Sequence, residues 1–168
     1  MTAGKISIRL AVVFVALIVF ADTLYAQKNE EKKAATTQLI EGERYEFVAQ
    51  SMSPQGGRVR QLTSYYFVKI TSDTVIADLP YVGRAYSAPI NSSDAGINFT
   101  STAFTYDRKP RKKGGWEINI KPKDRTDIQQ LQFTVYESGS AYLQVISTNR
   151  QLISFNGDVQ PIKEKKQK

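Results

Sequence analysis

The stretch ADLPYVGRAYSAP, residues 77–89, concentrates more groups capable of chemistry than any other part of the sequence. Tyr81 and Tyr86 each pair a large apolar ring with a hydroxyl that must stay hydrated or find a partner. Arg84 adds five donors and a permanent charge. Pro80 lacks an amide hydrogen and holds Leu79 extended, while Gly83 permits a positive φ or a close backbone approach. Two arrangements fit. In one, Tyr81, Arg84 and Tyr86 form the rim of a pocket, with the guanidinium on a carboxylate, phosphate or sulfate. In the other, the segment turns a corner, Arg84 satisfies neighbouring carbonyls, and the rings cover one end of a core. The residues favour the corner, because one glycine beside one arginine falls far short of a phosphate-binding loop.

The rest of the chain restricts chemistry more than it supplies it. There is no histidine and no cysteine in the 168 residues. Histidine is the common general base near neutral pH, and the two residues together make most transition-metal sites. Histidine-dependent serine hydrolases, thiol enzymes and conventional zinc or copper sites are thereby removed. A serine-lysine dyad is left standing, as are paired carboxylates and a carboxylate-bound calcium. Glu46 and Glu117 alternate with apolar residues and so fall on polar strand faces; Asp73, Asp94, Asp124, Glu137 and Asp158 read as turn residues. None forms a facing pair, and none has calcium-loop spacing. The expectation is a non-enzyme without metal or cofactor, with a carboxylate-based hydrolase as the residual alternative. Asn91 and Asn98 begin weak glycosylation sequons.

The first residues indicate an address. Lys5 and Arg9 precede an apolar run from Leu10 to Ala21, and Ala26 stands just before Gln27. This is the layout of a secretory signal peptide over residues 1–26, with Val19-Phe20-Ala21 as a second cleavage site. The run is shorter than the roughly 18–20 residues of a spanning helix. No cysteine follows it, so a lipoprotein is excluded. The chain is expected in the periplasm or at the outer envelope, a location that removes the usual nucleic-acid reading of its net charge of +7 and leaves weak attraction to anionic surfaces. Much of that charge lies in KNEEKK and KEKKQK, which read as solvated tails, and in DRKPRKKGG, which reads as an exposed hairpin loop.

Residues 27–40 fit a linker or short helix. Residues 41–162 then show apolar side chains at alternate positions in short runs, a period incompatible with helices. SYYFVKI is apolar on both faces and reads as a central or strongly covered strand. GINFTSTAFTY fits one long bent strand or two short ones. GWEINIKP sets Trp116, Ile118 and Ile120 opposite Glu117, Asn119 and Lys121. Ser72-Asp73, Ser138-Gly139 and Asn156-Gly157 are read as turns. The fold class is therefore all-β and antiparallel. A lipocalin-like barrel of eight to ten strands is expected, with a two-sheet sandwich as the alternative. The domain is preceded by the signal helix and followed by a basic tail over residues 163–168.

YEFVAQSMSPQGG, YYFVKITSDTVIADLPYVGRAY, GINFTS, GGWEINIKP and SGSAYLQVISTNRQLISFNGDV together resemble the domain-of-unknown-function 4251 family, small exported proteins of the Bacteroides group. The resemblance runs from Leu39 to about Val159. It implies a single β-rich domain in the periplasm or outer envelope and brings no catalytic residues with it. The resulting expectation is an uncharacterised envelope protein that binds an apolar or amphipathic small molecule inside the barrel. The alternative is a structural module that meets an envelope protein partner through a strand edge or through the loop bearing Tyr81, Arg84 and Tyr86.

Overall fold

The computed structural model describes residues 27–83 and 96–163. Residues 1–26, read above as a signal peptide, lie outside the described residues, as do Arg84, Tyr86, Asn91, Asp94 and the last five residues of the basic tail. Residues 27–41 form helix α1, in which KNEEKK is solvent-exposed as expected but helical instead of a loose tail. Alanine, glutamate, lysine and glutamine give this segment high helix propensity. Thr36 and Ile40 are buried and Leu39 is half-buried, which gives the helix one inward face. The helix ends at Gly42 and Glu43; Glu43 takes a left-handed φ of 48°, and the Arg44 amide donates back to the Leu39 carbonyl at 3.4 Å.

Nine strands follow among the described residues: β1 (Tyr45–Pro54), β2 (Arg60–Ile70), β3 (Val75–Leu79), β4 (Ile97–Ser101), β5 (Phe104–Pro110), β6 (Trp116–Pro122), β7 (Ile128–Val135), β8 (Ser140–Ser147) and β9 (Ile153–Gln160). Their order in the sheet is β4-β3-β2-β1-β9-β8-β7-β6-β5, every neighbouring pair antiparallel. The first and last strands of such an alternating series point the same way. Here those two strands, β4 and β5, are joined by only Thr102 and Ala103. So short a link cannot cross a flat sheet, and the sheet curls until its edges adjoin. The result is a nearly closed antiparallel barrel in which β4 and β5 act as one bent strand, the upper part paired to β3 and the lower to β6.

The bend is fastened from the β6–β7 loop. The Asp124 carboxylate accepts from the Ser101 hydroxyl at 2.5 Å and from the amides of Thr102 and Ala103 at 3.0 and 3.4 Å. The Lys123 amide donates to the Ala103 carbonyl at 2.7 Å. Ser101 is fully buried, so Ser101→Ala is expected to cost about 1.5–3 kcal/mol, the range for a hydrogen bond to a charged group, read from urea unfolding. The Ser101 hydroxyl and the Thr102 amide hold the Asp124 carboxyl below the usual aspartate range. A depressed folded-state value gives stability that is complete above the unfolded pKa and lost as pH falls through the folded one. Below about pH 4, Asp124→Asn is therefore expected to show a shallower acid decline of the urea midpoint than the parent.

Alternation puts one face of each strand inward, and the inward residues form a single cluster that includes Phe47, Val68, Leu79, Phe99, Ile120, Leu131, Leu143 and Phe155. Trp116, Ile118 and Ile120 face inward as expected, with Glu117 exposed. The turn at Ser138-Gly139 is present, with Gly139 at φ 89°. β2 is central in the sheet but is not covered outside: Tyr65 stands 53% exposed. Two turn readings are corrected. Asn156, Gly157 and Asp158 lie inside β9, not in a turn. Gly157 faces Ala49 beside a bulge at Gln50, where any Cβ would run into the Val48 carbonyl. The glycine serves close approach of two strands. Asp158 points outward and accepts from Gln50 Nε2 at 2.6 Å.

Candidate functional site

Tyr81 leaves the end of β3 behind Pro80, and with Val82 it packs against the core. Its hydroxyl donates to the Gln151 carbonyl at 3.3 Å, and the Arg150 guanidinium lies 5.1 Å over its ring. Arg150 Nη1 also donates to the Gly96 carbonyl at 2.5 Å. The β8–β9 loop thus holds the chain just after β3 and just before β4. At Gly83 a Cβ would sit 2.7 Å from the Tyr81 hydroxyl, so a larger residue would push that side chain aside. Tyr81 is a strut at the barrel end, as the corner reading has it. Arg84 and Tyr86 lie outside the described residues, so the three sequence candidates are not brought together as a site.

Inside the wall, side chains meet from distant strands. Phe47 on β1 and Phe133 on β7 contact edge to face, with centroids 5.6 Å apart and planes at 75°. The hydroxyls of Tyr45 on β1 and Tyr106 on β5 lie 3.3 Å apart. Burial raises the Tyr45 phenol well above its ordinary value and pushes Tyr106 up to about 12. Both phenols therefore stay protonated near neutrality. Side chains of β1 thus reach those of β7 and β5 inside the wall.

On the outer wall Glu46 is only 3% exposed. Its carboxylate accepts from the Tyr65 hydroxyl at 2.6 Å and from Gln160 Nε2 at 3.4 Å. Burial first, and then the bond to Glu46, push the Tyr65 phenol up to about 12. Alternation correctly gave Glu46 an outward direction but not its cover, which comes from β2 and β9.

A groove of about 290 Å³ lies where α1 crosses the barrel end. Lys32, Ala35, Thr36 and Leu39 form its helical side; Ser138-Gly139 and Val159 to Pro161 form the other. Positions 32, 35, 36 and 39 share one helix face, and that spacing is the signal a sequence reading could have used. The helix is fixed there by two polar contacts. Lys33 pairs with Glu137 at 3.2 Å. Arg108 Nη1 donates to the Ile40 carbonyl at 3.0 Å, a cation at a helix C-terminus. Among the described residues no three carboxylates gather as a metal site.

The model of a family described as Domain of unknown function (DUF4251) matches residues 27–159, from α1 to the end of β9. The chain belongs to the DUF4251 family. The family match thus takes in the helix, the groove and the whole barrel. A DUF4251 family protein from Bacteroides eggerthii DSM 20697, solved by crystallography at 1.95 Å, is similar to this chain at 12% identity. The match covers 77% of this chain and 87% of that one with a TM-score of 0.56, a likeness of fold alone. No curated protein matches the sequence.

Proposed function

We propose that this DUF4251 protein is an exported, non-enzymatic binding domain of the cell envelope that holds a small apolar or amphipathic molecule. The observation that carries the reading is the groove between α1 and the barrel end, which pairs the apolar surfaces of Ala35, Leu39, Val159 and Pro161 with polar groups at its margin. Its volume of about 290 Å³ is near the lower end of small-molecule sites, roughly 300–1,000 Å³. The ligand's place in this reading is the groove. The signal-like residues 1–26 support export. A non-catalytic role is supported by the lack of histidine and cysteine and by phenols held far from neutrality. Glu46, the one buried carboxylate among the described residues, has only neutral groups as hydrogen-bond donors.

Native mass spectrometry of protein taken from the periplasm of its own host tests this. The expected spectrum shows a chain beginning near Gln27 with a retained small molecule as added mass. Ala35→Phe, at an exposed helix position on the groove, is expected to remove that mass while keeping the fold. A bare polypeptide mass in both proteins would remove the reading.

A further inference from the structure

Charge is distributed unevenly over the barrel, and the end away from α1 holds most of its unmatched cations. Arg58 and Arg60 stand on the β1–β2 hairpin, and Lys121 and Lys123 stand at the end of β6. The antiparallel register puts both pairs at one rim, with the starts of β7 and β9 between them. All four are exposed, and none pairs with a carboxylate among the described residues. The carboxylates of the β6–β7 loop are already engaged. Asp124 accepts from Ser101 and the amides of the bend, and Asp127 accepts from Arg125 Nε at 2.9 Å and Nη2 at 3.0 Å. Residues 84–95 add one cation and one anion to the sequence, which cancel. The α1 end differs, because its lysines and arginines are interleaved with Glu30, Glu31, Glu41, Glu43, Glu117 and Glu137. Away from the rim, the outer wall of β1, β2, β3 and β9 sets Glu46, Asp78 and Asp158 against Lys69 alone.

A second observation lies at the same rim. Between the two arginines stands Val59, at 60% the most exposed large hydrophobic among the described residues. Residues 55–61 are all exposed, and a Cβ on Gly56, where φ is 75°, would meet nothing within 4 Å. The tip of the hairpin thus stands clear of the barrel. Arg58 and Lys123 are separated in the sheet order by β9, β8 and β7, on the order of 20 Å along the wall. A small anion cannot reach both, whereas an extended anionic surface can. We infer that this rim docks the barrel end-on to a bilayer containing anionic phospholipid. The arginines and lysines meet the headgroups. Val59 enters the boundary between headgroups and acyl chains, with the arginine stems beside it. An anionic polysaccharide or a nucleic acid would match the cations but would give the valine nothing to enter. The carboxylates of the outer wall oppose docking side-on. The groove beside α1 then lies at the far end of the barrel, open to solvent.

The test mixes residues 27–168 with phosphatidylcholine vesicles made with and without phosphatidylglycerol, and reads the bound fraction by sedimentation. Binding is expected only to the vesicles with phosphatidylglycerol, and it should weaken as salt is added. Replacing Arg58 and Arg60 together by glutamine is expected to weaken it about 25-fold, roughly fivefold for each charge near the surface. Val59→Ser is expected to weaken it about fivefold. Replacing Lys112 and Lys113 by glutamine removes the same charge at the α1 end. That change should matter less than about twofold, because the length of the barrel exceeds the Debye length. All these positions are exposed, so urea midpoints should stay at the parent value. The chain has no cysteine, so Val59→Cys supplies one thiol for a polarity-sensitive dye. Its emission should shift to the blue on anionic vesicles, while the same dye on Lys112→Cys should not respond. Equal weakening by the two charge-removing pairs would show that net charge, and not the rim, drives attraction, and overturns the proposal. Binding to dextran sulfate as tight as to the vesicles, with Val59→Ser indifferent, assigns the rim to a polyanion and overturns it as well.

Discussion

Phe47→Ala is expected to lower the free energy of unfolding by about 3–5 kcal/mol, making it one of the most damaging single changes in the chain. Phe47 is fully buried, and its ring closes the barrel's interior against Phe133 from three strands away. Truncation removes apolar area and also leaves a void that neither β1 nor β7 can collapse to fill, since both are pinned by pairing on two sides. The thermal midpoint should fall by about 10–20 °C. The measurement is urea unfolding, with Val48→Ala as the comparison one residue along on the outer face, expected to cost less than about 1 kcal/mol. A double-mutant cycle with Phe133→Ala should give a coupling of roughly 0.5–1.5 kcal/mol for the aromatic pair. Equal losses for Phe47→Ala and Val48→Ala would mean that the rings do not fill a shared interior.

Gly157→Ala is the second large effect, and its cause is different. Gly157 does not have a positive φ, so alanine suffers no backbone penalty there. The trouble is steric: the new methyl would aim at the Val48 carbonyl and lie 3.0 Å from the Ala49 Cα. Both are backbone atoms of β1, and they cannot swing aside as a side chain can. Relief requires β1 and β9 to separate at the Gln50 bulge, where the register between them shifts. A loss of about 3 kcal/mol or more is expected, at the upper end for overpacking. Amide hydrogen exchange should show it as faster exchange along Phe47 to Met52 and Ser154 to Val159. A variant as stable as the parent would show that the strands are not so close.

What could be read from the residues was whatever depends on short-range pattern. The two-residue alternation around Trp116, Ile118 and Ile120 is a local consequence of the pleat, and it survives folding unchanged. The Ser138-Gly139 turn is equally local. Asn156-Gly157 misled because glycine serves two purposes, and a dipeptide rule detects only the conformational one. Here the reason for the glycine lies in Val48, more than a hundred residues earlier in the chain. Asp158 was misplaced with it. Glu46 and the groove share the same difficulty. The cover over Glu46 comes from Tyr65 and Gln160, and the groove needs α1, the β7–β8 turn and the end of β9 at once. None of those meetings leaves a mark on any one segment. GINFTSTAFTY was legible as a bent strand or a pair, but only the sheet order reveals that its two halves serve opposite edges.

The seam between β1 and β9 sets the order of events in assembly. Strands β1 to β4 can zip up as they emerge, and so can β5 to β9, because each neighbour follows directly in sequence. The joint between the two halves must wait: Glu46 and Gln160 are 114 positions apart, on the order of ten seconds of synthesis. Until β9 arrives, β1 has a partner on one side only. β9 is the latch that joins the two halves into one wall.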